Sequence, residues 1–398
     1  MKTIELFAGG GGLGIGLFRA GFHPVKVIEW DKYCCDTIRE NKRRCIASVK
    51  DWDLFEGDVR TVNFSDYEGK IHLVSGGPPC QPFSLGGKHR AHLDSRDMFP
   101  QAIRAVREIK PQAFIFENVK GLTRSAFRNY FEYIKLQLTH PELVIHPDET
   151  WLQHLARLEK AHTSGNETAL KYNVVTRILN AADYGVPQRR ERVFFVGFRC
   201  DIRMKWSFPE PTHSQESLLW DQYRSSDYWE RHGIARKQHS MSEPCPSRVN
   251  AISERPRLKP WRTVRDAIHD LPDPQLDLEP KKFFFNHVYQ AGAKSYPGHT
   301  GSRLDEPAKT LKAGDHGVPG GENMLCRNNG SVRYFTVRES ARLQTFPDNY
   351  VFHGSWTETM RQLGNAVPVL LANTVGSSVF KHLQAIQEGH FQDDFRLY

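Results

Sequence analysis

The stretch TIELFAGGGGLGIGL at residues 3–17 determines the fold class of this chain. Its first six residues have the composition of a short buried strand, and the glycine run that follows leads into an apolar helical pattern. A strand, a glycine turn and a helix open a doubly wound α/β fold, in which ligands bind at the carboxyl ends of the strands. Gly9, Gly11 and Gly14 also satisfy G-x-G-x-x-G, although this motif is a weak signal in a run so rich in glycine.

Further strand ends carry acidic residues suited to an adenosine-containing ligand. The strand predicted at 25–28 runs into Glu29 and Trp30, and a later acidic end follows at Asp58. A carboxylate at the first of these ends can hold the hydroxyl pair of a ribose. Trp30 offers a flat face for an adenine ring, and Asp58 is placed to bind the adenine amino group. The pattern predicts an adenosine site without identifying the cofactor.

A cysteine stands in the rigid turn GGPPCQPFS at residues 76–84. The apolar run at 71–74 predicts a buried strand, and the glycines and prolines after it would hold Cys80 on a stiff platform. A lone cysteine is usually a small buried hydrophobic residue, but three neighbouring prolines suit a core position poorly. A nucleophilic cysteine is therefore favoured, and the polar, glycine-hinged residues 81–97 are predicted to form a mobile lid.

Glu117 and a group of arginines stand at other strand ends. The strand predicted at 113–116 ends at Glu117, which in a parallel sheet emerges at the same edge as Cys80. This placement favours a catalytic role over structural pairing of the carboxylate. Further along, the sequence QRRER at 188–192 enters an apolar strand. A solvated charge run is the usual interpretation, yet guanidinium groups on a buried strand are costly unless they face an anion or a polar ligand.

The composition is that of an ordinary globular protein with a basic charge balance. The 398 residues, 39% hydrophobic and 25% charged, suffice for one large domain and a smaller one. A net charge of +8 and a pI near 9.0 permit a polyanionic partner. Seven irregularly spaced cysteines argue against a disulfide framework, and the lack of paired CxxC motifs argues against structural zinc. We expect no metal, no membrane span, no secretory signal and a location in reducing cytosol.

A change in composition near residue 199 predicts a second domain. From there to about 332 the apolar periodicity fades, while proline, arginine, histidine and aromatic residues become more frequent. We therefore predict a doubly wound, mostly parallel α/β domain formed by residues 1–198 and 333–398, with a smaller irregular domain at 199–332. Basic and aromatic side chains on irregular structure suit nucleic-acid contacts, although the same composition fits any loop-rich domain.

Two other segments are predicted to be helical. Residues 125–172 are expected to form mostly helix, with little chemistry of their own. At the C-terminal end, a capped helix is predicted to start near Val337. Residues 361–368 are predicted to open a final apolar helix that runs through Val379, with Gly364 and Asn365 before its N-terminus.

In this order the motifs resemble those of the C5-cytosine DNA methyltransferases, which use S-adenosylmethionine. The resemblance covers nearly the whole chain except 199–332, where that family keeps its variable target-recognition region. It implies a Rossmann-like methyltransferase fold and a DNA (cytosine-5-)-methyltransferase that acts on double-stranded DNA, as in bacterial restriction-modification systems. The matching segments are LFAGGGG at 6–12, EWD at 29–31, GDV at 57–59, GPPCQPFS at 77–84, ENV at 117–119, QRRER at 188–192, RE at 338–339, RLQTFP at 342–347 and QLGN at 362–365.

The resemblance also implies roles for individual residues. Cys80 would attack C6 of the target cytosine, Glu117 would support protonation at N3, and Arg192 would hold O2 with Arg190 beside it. Attack at C6 makes C5 nucleophilic, and the base must leave the stacked duplex because C5 is out of reach inside it. The cofactor site for S-adenosylmethionine would be lined by Phe7, Gly9, Gly12, Glu29, Trp30, Asp58, Val59, Pro79 and Asn365.

Three alternatives are weighed against this function. A dinucleotide-dependent oxidoreductase shares the glycine turn but leaves Cys80 and the arginines at 188–192 unexplained. A catalytically silent DNA-binding regulator is disfavoured by the intact Cys80 and Glu117. An RNA methyltransferase of the same family, acting on tRNA, would share the catalytic residues, but the size of 199–332 favours duplex DNA. We expect a monomer without an obligate protein partner, of prokaryotic or phage type, in the cytoplasm or nucleoid.

Overall fold

A seven-stranded sheet forms the centre of the protein, in the strand order β3-β2-β1-β4-β5-β7-β6. The pairs from β3 to β5 are parallel, whereas β7 runs antiparallel to both β5 and β6. The prediction of a doubly wound, mostly parallel α/β fold is thereby confirmed. The strands are β1 (Lys2–Leu6), β2 (His23–Glu29), β3 (Leu54–Glu56), β4 (Leu73–Gly76), β5 (Ala113–Val119), β6 (Tyr172–Asn180) and β7 (Glu191–Arg199).

This structure is a computed structural model, which describes residues 1–79, 97–164, 169–202, 205–235, 247–276, 284–313 and 321–388. Cys80 and residues 81–96 of the predicted lid lie outside the described residues.

Helices cover both faces of the sheet, and β5 shows how the sequence requires this. Phe114 and Phe116 point into a core shared with α3 and α4, whereas Ala113 and Ile115 point into the core on the opposite face. A strand whose successive residues are all apolar has two apolar faces and must be buried on both sides. The helices of this layer are α1 (Gly12–Arg19), α2 (Lys32–Arg43), α3 (Phe99–Ile109), α4 (Arg128–Thr139), α5 (Trp151–Ser164), α10 (Val337–Leu343), α11 (Trp356–Asn365) and α12 (Val369–Gln387).

Close packing of α1 against α12 explains the length of the glycine run. A Cβ at Gly12 would lie 2.4 Å from the carbonyl oxygen of Val367, and one at Gly16 would lie 2.4 Å from the Cβ of Ala372. Only glycine permits so short a distance between the two backbones. The helix therefore begins at Gly12, inside the glycine run, rather than after it as the apolar pattern predicted.

The final apolar helix predicted after Gly364 and Asn365 is α12, and a further helix, α11, precedes it. Arg361 belongs to α11, which ends at Asn365, and α12 begins at Val369 after a three-residue extended link. Pro368 in this link has no backbone N–H and disfavours a helical conformation in the residue before it, so one continuous helix cannot form. The stretch Trp356–Gln387 has the length and hydropathy of a membrane-crossing helix, but 61% of its apolar window is buried inside the fold.

The described residues between 199 and 332 form short elements joined by irregular chain. Part of this region has a core of its own around Tyr228, Trp229 and Trp261. Another part shares a core with the main sheet, because Val264 and Leu311 pack in one cluster with residues of α1 and α10. The boundaries predicted for a second domain therefore stay a prediction. The elements are β8 (His213–Ser214), β9 (Lys259–Pro260), β10 (Ser302–Arg303), β11 (Met324–Cys326), β12 (Val332–Tyr334), α6 (Gln215–Tyr223), α7 (Asp227–Arg231), α8 (Ser247–Asn250) and α9 (Val264–Ile268).

Candidate active site

A cavity of about 810 Å³ opens at the carboxyl edge of the parallel strands. Its walls come from the turns after β1, β2 and β4 on one side and from residues 361–367 on the other. Glu117 and Arg192 also line it, so two of the predicted catalytic residues share this space with the predicted adenosine site. The residues predicted to bind the cofactor all line the cavity, namely Phe7, Gly9, Gly12, Glu29, Trp30, Asp58, Val59, Pro79 and Asn365.

The turn after β1 opens space in front of its backbone. Gly9 has a φ of 55°, in the left-handed region that glycine adopts without steric cost. A Cβ at this position would meet no atom within 4 Å, so the backbone can be approached closely by a ligand. Phe7 also has a φ of 55°, which is uncommon for a bulky residue and is typical of backbone strain held at a functional site.

Glu29 ends β2 as a fixed and buried carboxylate. Its Oε2 accepts the N–H of Gly9 at 2.7 Å, and its Oε1 accepts the N–H groups of Trp30 and Asp31 at 2.9 and 2.8 Å. Burial raises the pKa of Glu29, while these three N–H groups oppose that effect. The hydrogen bonds join the turn after β1 to the turn after β2 and so fix the relative positions of the two turns at the predicted adenosine site.

Trp30 and Asp58 lie in the more open part of the cavity. The Trp30 side chain is 69% exposed, which leaves its ring face available for stacking. Asp58 accepts the backbone N–H of Arg60 at 2.9 Å and the Nε of the same arginine at 2.8 Å. These bonds to Arg60 lower the pKa of Asp58 and keep it a carboxylate. An ionised Asp58 can accept a hydrogen bond from an amino group, as the sequence predicted.

Arg361 is a wall residue of this cavity that the sequence did not single out. Its Nη2 donates to Asp31 Oδ2 at 2.7 Å and to Glu358 Oε2 at 2.6 Å. Burial acts against the ionisation of Asp31, but the bonds from Arg361 and from the N–H of Cys34 outweigh it and lower the Asp31 pKa. Arg361 thus connects α11 to Asp31 in the turn after β2, which lies 330 positions earlier in the sequence. No local sequence pattern could have indicated a contact at such a separation.

Glu117 lies near the C-terminal end of strand β5 and lines the other end of the cavity. It is 6% exposed, and Gly77 lies so near that a Cβ there would be 3.3 Å from Glu117 Oε2. The neighbouring Asn118 donates from Nδ2 to the carbonyl of Pro78 at 2.9 Å. This bond holds the end of β5 against the turn that leads to Cys80.

Arg192 provides the charge beside Glu117. Its Nε lies 2.8 Å from Glu117 Oε1, in a pair whose side chains are 11% and 8% exposed. The N–H is not aligned with this oxygen, and Oε1 has no hydrogen-bond partner among the described residues. Burial raises the pKa of Glu117, although Arg192 and Arg190 act in the opposite direction. A buried carboxyl oxygen without an aligned donor is suited to a hydrogen bond with a substrate.

Arg190 does not reach the cavity. Its guanidinium is fully buried and donates to the carbonyls of Leu311 at 3.1 Å, Gly364 at 2.6 Å and Ala366 at 2.9 Å. Gly364 and Ala366 flank Asn365 in the wall of the cavity, and Leu311 belongs to the predicted recognition region. The sequence placed Arg190 beside Arg192 at a substrate base, whereas the structure places it behind the wall as a positioning residue.

The family of the chain follows from its sequence as a whole. The model of the C-5 cytosine-specific DNA methylase family matches residues 1–146 and 158–381. The chain belongs to this family. The methylase is accordingly a DNA (cytosine-5-)-methyltransferase, and membership excludes the oxidoreductase among the alternatives above. The family implies S-adenosylmethionine as the methyl donor in general.

Relatives of the methylase are similar over nearly its whole length. Type II methyltransferase M.PspPI of Psychrobacter sp. is 32% identical over 397 residues, which cover 98% of the methylase and 82% of that relative. Type II methyltransferase M.NgoMIV of Neisseria gonorrhoeae is 31% identical over 386 residues, which cover 96% of the methylase and 98% of that relative. The names of both relatives are those of restriction-modification enzymes.

Solved structures of low sequence identity share the fold of the methylase. A mutant of Spodoptera frugiperda DNMT2 superimposes with a TM-score of 0.57 at 14% identity, covering 95% of the methylase and 99% of that chain. A putative DNA modification methyltransferase encoded within an E. coli prophage gives a TM-score of 0.52 at 21% identity, covering 96% and 99%. At these identities the likeness concerns the fold alone.

Proposed function

We propose that the methylase transfers a methyl group from S-adenosylmethionine to C5 of a cytosine within a specific short sequence of double-stranded DNA. The observation that carries this proposal is the division of one cavity into two ends. One end combines an open glycine turn with the fixed carboxylate of Glu29, and the other end holds the Glu117–Arg192 pair. A single space with these two ends can bring a nucleoside cofactor and a base together.

The chain's own residues fit S-adenosylmethionine at the first end. Gly9 leaves room for a close approach to its backbone, Glu29 is oriented for a hydroxyl pair, and the exposed ring of Trp30 offers a stacking face for adenine. Asp58 and Asn365 complete the polar lining as hydrogen-bonding groups for the adenine and methionine parts. When bound, this cofactor supplies an electrophilic methyl group.

The second end would act on the base. Addition of the Cys80 thiolate to C6 breaks the C5–C6 double bond and moves its electron pair toward N3 through the ring. A protonated Glu117 can donate a hydrogen bond or a proton at N3, and its burial favours the protonated form against the opposing effect of Arg192 and Arg190. Arg192 would hold O2 and keep the ring in place. C5 thereby becomes nucleophilic. After C5 is alkylated, water takes the C5 proton, the C5–C6 double bond re-forms and the C6–S bond breaks, which releases the Cys80 thiolate.

DNA recognition is assigned to residues 199–332. A base enters the cavity only after leaving the duplex, at a cost of a few kcal/mol. We propose that side chains of this region read neighbouring base edges. We further propose that the enzyme works as a monomer in the bacterial cytoplasm or nucleoid. Its host would also produce a restriction nuclease of the same sequence specificity.

The experiment that tests the function is sequencing of DNA from a host that expresses the methylase, with a readout for C5-methylcytosine. We expect methylation at one short sequence. The Cys80→Ala variant should give none, while its affinity for S-adenosylmethionine stays nearly unchanged because the thiol contacts the base and not the adenosine. Purified protein incubated with duplex DNA and with tRNA separates the two substrate classes, and methylation of tRNA alone would refute the DNA proposal.

A further inference from the structure

The chain that follows the catalytic strand carries two exposed arginines beside the cavity. This segment, residues 120–128 and here called the β5–α4 turn, begins directly after Val119, which lines the cavity and is 49% exposed. Arg124 and Arg128 are both exposed. Arg124 stands five residues after Val119, so its backbone lies at most about 18 Å from the cavity wall.

These two arginines differ from the other cations around the cavity. Arg60 is paired with Asp58, Arg192 with Glu117, and Arg361 with two carboxylates. Within the β5–α4 turn, Lys120 is paired with Glu191 at 2.8 Å. By contrast, no ion pair joins Arg124 or Arg128 to a carboxylate in the parts of the chain that the structure describes. Among the residues that the structure describes, Arg124 and Arg128 therefore carry charges near the cavity that no carboxylate compensates.

The backbone of the β5–α4 turn is held by contacts with the main core, although its arginines are exposed to solvent. Leu122 is buried in the main core, and Thr123 donates from its hydroxyl to the carbonyl of Lys120 at 2.9 Å. The N–H of Phe127 donates to the carbonyl of Arg124 at 2.8 Å. The turn consists of two short 3-10 helices that pass directly into α4. A fixed backbone restricts the positions of the two guanidinium groups and lowers the entropy cost of binding an anion.

We propose that Arg124 and Arg128 bind phosphates of the DNA backbone next to the flipped nucleotide. The proposal rests on the proposed function, because a base that enters the cavity leaves its own phosphates just outside. Arginine is suited to such a contact, since its planar guanidinium can donate two hydrogen bonds to one phosphate. This contact would belong to the catalytic frame and would be independent of base sequence, unlike the contacts assigned to residues 199–332.

The test measures the salt dependence of binding to a labelled duplex of about 20 base pairs that contains the sequence methylated in the host. Each phosphate contact contributes about 0.9 to the slope of log K against log salt concentration. Arg124→Gln and Arg128→Gln should each reduce this slope by about 0.9, and the double variant by about 1.8. The affinity for S-adenosylmethionine and the methylated sequence should not change.

The matched controls are Lys160→Gln, Lys381→Gln and their double variant. Both lysines are exposed. Lys160 lies toward the end of α5 that contacts the far end of α4 through His162 and His140, and Lys381 lies far along α12 from the cavity. The control variants should keep the wild-type slope.

Three outcomes would overturn the inference and are distinguishable. If the wild-type enzyme binds the duplex but the arginine variants keep its slope, Arg124 and Arg128 do not contact phosphates, and the proposed function stands. If the wild-type enzyme binds no duplex at any salt concentration, the proposed function itself fails. An equal loss of slope in the lysine controls would also refute a localised phosphate site.

Discussion

The Glu5 carboxyl group makes the stability of the methylase depend on pH. Glu5 lies in the middle of β1 and is fully buried. Its Oε1 accepts the N–H of Gly14 at 3.0 Å, and its Oε2 has no partner among the described residues. Burial raises the pKa of Glu5 to about 8, from an ordinary value of 4.5, against the effect of the Gly14 hydrogen bond.

The sign of the effect follows from this raised pKa. The folded protein holds a proton on Glu5 that the unfolded chain releases above pH 4.5. The stability contributed by this proton is complete below pH 4.5 and is lost as the pH rises through 8. Each unit of pKa difference is worth about 1.4 kcal/mol, so the full change amounts to about 5 kcal/mol.

The perturbation is Glu5→Gln, which keeps an oxygen for Gly14 and removes the titration. Urea unfolding of both proteins at several values between pH 5.5 and 8.5 gives the difference in their free energies of unfolding. Across this range the wild type should lose about 3 kcal/mol of stability relative to the variant, because the first part of the transition lies below pH 5.5. Glu132→Gln, on the exposed side of α4, controls for the loss of a surface carboxylate. A difference that stays constant across this range would refute the reasoning.

Three further predictions concern the cavity. Glu117→Gln should lower the single-turnover rate roughly 10²-fold or more with DNA binding intact. Because the pKa of Glu117 is raised, the wild-type single-turnover rate should also fall as Glu117 ionises with rising pH. The pH profile of the variant should lack this loss. Asp58→Ala should weaken S-adenosylmethionine binding by about 1.5–3 kcal/mol in calorimetry without DNA, and an unchanged affinity would mean that the adenosine site is misplaced. Arg361→Met should raise the cofactor dissociation constant while Arg44→Met, remote from Asp31, does not; equal effects would argue against a specific role for the Asp31 contact.

The parts of the site that follow from local sequence were predictable. Glu29 and Glu117 each end a parallel strand, and parallel strands present their carboxyl ends at one edge of a sheet. A residue at the end of such a strand is therefore placed near the cavity by topology alone. This is why residues nearly 90 positions apart in sequence could be assigned to one space.

The parts that depend on tertiary packing were not predictable. Arg190 and Arg192 look equivalent in QRRER, yet one is enclosed by three carbonyls and the other reaches Glu117. The difference between the two arginines arises from how residues 308–313 and 321–366 pack around Arg190, which no local pattern reveals. The early start of α1 has a similar cause, because glycine disfavours helix in isolation and only the close packing of α12 stabilises it there.

The last helices of the chain complete a cavity that the first strands begin, and this affects when the enzyme can become active during synthesis. Thr37 donates from its hydroxyl to Gln362 Oε1 at 2.8 Å, and Tyr350 donates to the carbonyl of Gly10 at 3.0 Å. A nascent chain still held by the ribosome before these residues emerge carries Glu29, Glu117 and the cysteine, but it lacks the wall at 361–367. Fragments released by premature termination would therefore lack one wall of the cavity. Such fragments should bind the methyl donor poorly and should not methylate the host DNA.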